Sequence, residues 1–196
     1  MFIFRFIFWF DASFDAPTEK EKEKYIKGIL NAEDIWCQGF SEPDHGSDLG
    51  NAQCRAVRDG DEYVVNGTKI WTTMGNYARY MILLARTNPE AERKYDGLSF
   101  FLSPMNVAGV DPRPIRKVTG DYGFTETFFT DARIPASCIM GEEGQGWKIA
   151  MQTLQYERGA EAGAAGGLMQ VRVIIDDVID DLRGIQRDGA PILEDP

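Results

Sequence analysis

Residues 54–73 read CRAVRDGDEYVVNGTKIWTT. Apolar and polar side chains alternate along both halves of this stretch, the period of a strand with one buried face. An Asn66-Gly67 pair interrupts it. Asn-Gly between alternating runs is a strong short-range hairpin signal, because both turn positions want positive φ. The stretch therefore predicts two short strands with Asn66-Gly67 at the hairpin tip.

The same period continues downstream. YMILLART (80–87) and GLSFFLSP (97–104) are nearly continuous apolar runs, and VDPRPIR (110–116) and GFTETFFTDARIP (123–135) follow across a turn marked by Gly120 and Gly123. About six short strands with no helices between them predict an antiparallel barrel or sandwich.

The flanks have helical period. In PTEKEKEKYIKGIL (17–30), Tyr25, Ile26, Ile29 and Leu30 make an apolar stripe, with charges around it. From Trp147 onward, Leu154, Arg158, Glu161, Ala165, Leu168, Arg172, Ile175, Ile179 and Leu182 recur at steps of three or four. The glycines of GAEAGAAGG (159–167) lower intrinsic helix propensity, so this helix needs something packed closely against its small residues. The expected class is α+β: an antiparallel β-barrel with an N-terminal helix and one long C-terminal helix. MFIFRFIFWF (1–10) is too short to span a bilayer and is broken by Arg5. It reads either as a strand or as an atypical start, and it has no small-residue cleavage site.

Composition narrows function. The chain has 196 residues, 43% hydrophobic and 27% charged, as in globular proteins. A net charge of -10 and a pI near 4.6 argue against nucleic acid, which needs clustered Lys and Arg. Three cysteines without regular spacing suit reduced thiols and a cytoplasmic location. With one histidine and no ligand spacing, a metal site is not expected. No membrane span is expected either.

Two segments carry candidate chemistry. WCQGFSEPDHGSDL (36–49) concentrates Gln38, Phe40, Ser41, Gly46 and Ser47 in one loop, and KIWTTMG (69–75) sets Trp71 beside Thr72 and Thr73. An aromatic wall, several hydrogen-bonding side chains and a glycine-lined loop suit a flat heteroaromatic ligand. His45 reads as a solvated loop residue. Glu42 and Asp48 read as groups that fix the loop backbone.

These segments in this order, followed by GEEGQGW (141–147) and YERG (156–159), resemble the acyl-CoA dehydrogenase family of flavoproteins from about residue 17 onward. The style looks closest to bacterial branches acting on branched, long or sterol-derived acyl-CoA. The resemblance implies an N-terminal helical domain, a middle β-barrel and a C-terminal four-helix bundle. On that pattern residues 1–16 match nothing in the family. Residues 17–33 are the last helix of a truncated first domain, 34–142 are the barrel, and 143–196 begin a truncated bundle.

It also implies FAD as cofactor, an acyl-CoA substrate, an electron-transfer flavoprotein as acceptor, and a homo- or hetero-oligomer. Gln38, Phe40 and Ser41 would line the flavin. Gly46 and Ser47 would reach the acyl-CoA and the flavin phosphates. Trp71 would pack on the ring, with Thr72 beside it and Thr73 near the flavin N5. Family members remove the α-proton of an acyl thioester with a carboxylate and pass the β-hydrogen to the flavin as hydride. Most place that carboxylate later in the chain; a minority place a Glu where Glu157 stands. Arg158 would lie beside the acyl pocket. The isolated chain is expected to bind FAD poorly and to be inactive. Two other readings remain at this point: a non-catalytic subunit that pairs with an active homologue, and a related flavin oxidase.

Overall fold

The alternating run at 54–73 does form two strands, but the turn between them lies elsewhere. In the computed structural model, β2 (Arg55–Asp59) and β3 (Glu62–Thr73) pair antiparallel from Arg55↔Asn66 to Asp59↔Glu62. Gly60 supplies the positive φ, +63°, at the tip. Asn66 and Gly67 sit inside β3, where the register with β7 slips between Val65 and Gly67. The Asn66 side chain bonds Asp131 twice across that slip: Nδ2 donates to Oδ1 (3.0 Å), and Oδ1 accepts the Asp131 N–H (2.8 Å). An Asn-Gly pair serves a bulge as well as a turn, because both need unusual backbone angles.

The structure describes residues 19–158, 160–183, 185–187 and 190–191, with backbone alone for 19–21, 156–158, 160–170, 186–187 and 190–191. The apolar run at 1–10 lies outside them. One compact unit ends at Leu154 and a second begins at Gln155.

In the first unit, α1 (Glu19–Leu30) precedes β1 (Trp36–Gly39), β2 and β3. Then come β4 (Tyr80–Arg86), β5 (Leu98–Pro104), β6 (Val110–Arg116), β7 (Tyr122–Pro135) and β8 (Ile139–Met140). The sheet order is β6-β7-β3-β2-β4-β5-β8, with β1 also on β4. This eight-stranded sheet is not closed, and it is mixed, which corrects the expected antiparallel barrel. β1 runs parallel to β4 over Trp36↔Tyr80 to Gly39↔Leu83, and β2 meets β4 in parallel at Arg55↔Arg86. β1 and β2 thus lie end to end along one side of β4, and residues 40–54 are an excursion from that line. Alternation within a strand carries no information on such a long-range pairing.

One face of the sheet buries Tyr63, Val65, Met81, Leu83, Phe101, Phe129 and Ile134. β4 and β5 are buried along nearly their whole length, which explains why they read as continuous apolar runs. α1 contributes Tyr25 and Ile29, one helical turn apart, while Leu30 is exposed rather than part of the stripe. Tyr25 meets Trp36 edge-on at 5.1 Å, and Trp36 stacks on Tyr80 at 4.7 Å.

In the C-terminal stretch the helical segments are α2 (Gly146–Arg158) and α3 (Ala160–Arg183). β9 (Gln186–Arg187) and β10 (Ala190–Pro191) pair antiparallel. Val171, Ile174, Ile175 and Val178 on α3 are exposed.

Gly67 gives a direct check of the bulge. Its φ is +145°, and a Cβ there would lie 2.7 Å from the Cys54 backbone Cα. Gly67→Ala is expected to cost on the order of 2–4 kcal/mol, from backbone strain plus a clash that no side chain can relieve. Gly46, where a Cβ would meet nothing, is the control. A thermal melt in which the two Ala variants match would refute the account.

Candidate functional site

The excursion between β1 and β2 holds the first group of candidates. Gln38 is half-buried on β1 and pairs with Ile82. The Phe40 ring is buried edge-on to Phe100 at 5.9 Å, so only its backbone is available to a ligand. Ser41 is half-buried, and its carbonyl accepts the Ile70 N–H at 2.9 Å. Glu42 and His45 exchange backbone hydrogen bonds of 3.0 and 3.1 Å, closing a tight turn. Gly46, Ser47 and Asp48 are exposed beyond it.

The second group is the end of β3. There the register with β7 slips again, between Lys69 and Thr72. Trp71 stands at this bulge with φ +61° and is 59% exposed, its ring edge-on to Phe124 at 6.2 Å. Positive φ in a bulky aromatic residue costs on the order of 1–3 kcal/mol and marks a position over-determined by its surroundings. The surroundings are visible: Ile70 is held by Ser41, and the Thr72 carbonyl accepts the Thr125 hydroxyl at 2.7 Å. Thr72 is fully buried, and its own hydroxyl has no hydrogen-bond partner. Thr73 is half-buried. The Ile70–Ser41 bond joins the two groups. Glu157 and Arg158 are helical residues at the end of α2; their side chains lie outside the described ones.

The charges beneath the loop are the part that sequence reasoning missed. Lys69 is fully buried, and its Nζ donates to the Phe40 carbonyl (3.1 Å) and to Glu42 Oε1 (2.8 Å). Glu42 also accepts the backbone N–H groups of Gln53 (2.6 Å) and Cys54 (2.9 Å), so it does fix the loop backbone. Burial by itself would raise the Glu42 pKa. The Lys69 charge and the hydrogen bonds from Lys69, Gln53 and Cys54 outweigh burial and hold the carboxyl below its ordinary value. Arg86, also buried, donates to the carbonyls of Gly50 (2.9 Å), Ala52 (2.9 Å) and Lys94 (3.1 Å), pinning the far end of the loop. The available signal was a lysine on the inward side of an alternating strand, which demands an acid nearby.

Two expectations need correction. Asp48 bonds side chains rather than backbone: it accepts from Lys94 Nζ at 2.8 Å and from the Asn51 amide. His45 is half-buried rather than solvated, with its Nδ1 buried and without a hydrogen-bond partner. Cys37, Cys54 and Cys138 are buried and form no disulfide, and burial pushes Cys54 up to about 11. Among the described residues no helix is long and apolar enough to cross a membrane, and no cluster is arranged to hold a metal ion.

Residues 37–132 match the family model for the acyl-CoA dehydrogenase middle domain. The chain is 42% identical over 142 residues to acyl-CoA dehydrogenase IpdE1 of Mycobacterium tuberculosis, covering 72% of this chain and 37% of that protein. A solved structure described as the Tcur3481-Tcur3483 steroid ACAD is 41% identical, with a TM-score of 0.68 over 72% of this chain and 36% of that one. The ChsE4-ChsE5 complex from Mycobacterium tuberculosis is 31% identical, with a TM-score of 0.71 over 96% of this chain and 47% of that one. The chain therefore spans less than half the length of these relatives. With the matched region running from β1 into β7, and the same loop and bulge bound together in the fold, the chain belongs to the acyl-CoA dehydrogenase family.

Proposed function

We propose that this chain is the flavin-side portion of an FAD-dependent acyl-CoA dehydrogenase acting on a lipid or steroid acyl thioester. The observation that carries the reading is the exposed Trp71 indole, held in a strained backbone conformation beside the Ser41 loop. A soluble domain has no packing reason to strain a tryptophan outward; a flat ring to stack on it is such a reason. The residues present fit FAD. Trp71 offers a ring face, the backbone of Phe40 and the groups of Gln38 and Ser41 offer polar contacts, and the exposed Gly46 and Ser47 leave open backbone for phosphate or thioester. Thr72 offers a buried hydroxyl that still lacks a partner, and Thr73 a half-buried one.

FAD, when bound, supplies the acceptor for the β-hydrogen as hydride. The chain's own part is to orient and to move a proton. Glu157 takes the α-proton on its carboxylate, and Arg158 lines the acyl pocket. A carboxylate acts as a base here only where water is excluded. The exposed apolar residues of α3 suit packing within a helical bundle. An electron-transfer flavoprotein would reoxidise the cofactor. The resemblance to two structures of paired components supports a hetero-oligomer, and "steroid" in the description of one supports a sterol-derived acyl group.

The test is FAD titration of the chain extended to the length of its relatives, read by quenching of flavin fluorescence. Trp71→Ala is expected to weaken binding about tenfold to a hundredfold, the range of losing one aromatic stacking platform, 1–3 kcal/mol. Val57→Ser, at an exposed apolar site on the β2 hairpin, is expected to leave it unchanged. Equal affinities for the two variants would remove the Trp71 assignment.

A further inference from the structure

We infer that Lys69 is a positioning residue: its buried ion pair with Glu42 locks residues 40–54 to the bulge of β3 and so fixes the Trp71 indole relative to the Ser41 loop. The inference deepens the reading of this region as the flavin site and rests on it.

A fully buried ammonium is an expensive way to hold two segments together. Desolvating it costs several kcal/mol, and apolar residues of similar volume often serve stability equally well. What the pair provides instead is geometry. Lys69 lies immediately before the slip in register, so its position sets where the bulge begins. Its Nζ reaches back to the Phe40 carbonyl at 3.1 Å and to Glu42 Oε1 at 2.8 Å, the residues on either side of Ser41. The next residue, Ile70, donates its N–H to the Ser41 carbonyl at 2.9 Å. Three consecutive loop residues are thereby tied to two consecutive strand residues, and the residue that follows is Trp71 in its left-handed conformation.

Glu42 extends the tie. The same carboxylate takes the N–H groups of Gln53 and Cys54, where the excursion rejoins β2. One buried acid thus gathers the start of the loop, its end and the strand across from it. Methionine at position 69 would fill similar space and keep the strand, but it would release Phe40 and Glu42.

The experiment is ¹⁹F NMR of the 196-residue chain labelled with 5-fluorotryptophan, without flavin. The Trp71 resonance is assigned by Trp71→Phe. In Lys69→Met the Trp71 line is expected to shift or broaden, while those of Trp36 and Trp147 stay in place. Amide exchange at Ile70, Gln53 and Cys54 should rise on the order of tenfold or more, with β4 and β5 unchanged. General loosening would move all the tryptophan lines and would overturn the positioning role. So would a Trp71 line and Ile70 protection identical to wild type. Should Lys69→Met fail to fold, the double variant Lys69→Met/Glu42→Gln, which leaves no buried charge, decides by the same two readouts. FAD titration of the unlabelled wild-type chain extended to its relatives' length runs alongside: absence of binding there would defeat the flavin reading, while the fluorine result still settles the clamp.

Discussion

Replacing Glu157 by glutamine is expected to abolish flavin reduction by acyl-CoA while leaving flavin binding and folding nearly unchanged. Gln keeps the side chain's shape and ranks beside Glu in helix propensity, so α2 should not notice the change. An amide cannot accept the α-proton at neutral pH, and the loss of a general base lowers rates about 10²–10⁴-fold. The upper end is expected if the site is closed, since no water would then stand in for the carboxylate. Anaerobic mixing of the chain extended to its relatives' length with a saturated acyl-CoA, followed at the flavin absorbance band, measures the step. Bleaching at the wild-type rate would move the base beyond residue 196. This chain would then contribute flavin contacts and Arg158 but no catalytic carboxylate.

Six of the eight strands of the sheet were legible because each announces itself locally, whereas β1 and β8 were not expected. Alternation in 54–73 and the unbroken apolar runs that became β4 and β5 need no knowledge of partners. The turn was not legible, because two equally good signals competed. Asp59-Gly60 and Asn66-Gly67 both permit positive φ, and only the pairing of β3 with β7 assigns one to a hairpin and the other to a bulge. The parallel run of β1 on β4 was invisible for the same reason: it is a contact between residues more than forty apart. In the candidate site, the loop and Trp71 stood out by residue type. Lys69 falls on the inward side of the alternation, but nothing in 66–73 says that Glu42 is the acid beneath it. Trp71's exposure and strain are likewise products of the second slip against β7.

Glu42→Ala is expected to be among the most destabilising single changes available in the first unit. It would strand the Lys69 ammonium, which is fully buried, with only the Phe40 carbonyl for company. It would also leave the Gln53 and Cys54 N–H groups without their acceptor. Removing one member of a buried ion pair costs about 3–5 kcal/mol, because the survivor remains charged and unsolvated. For a chain of this size that corresponds to a drop in Tm of about 6–20 °C. Asp48→Ala, which breaks an ion pair exposed on both sides, should leave the melt in place. The pH dependence gives the mechanism a second signature. The folded-state pKa of Glu42 lies below its ordinary value of 4.5, so the carboxylate's contribution is complete above that pH. Below that pH it declines as the unfolded chain takes up the proton, and it is lost once the pH falls through the lowered folded-state pKa. The gap in stability between wild type and Glu42→Ala should therefore be constant from neutral pH down to about 5 and then narrow towards pH 3. A gap that stayed constant through pH 3 would mean that the lost interaction is packing rather than charge, and the buried pair would not be what holds the loop.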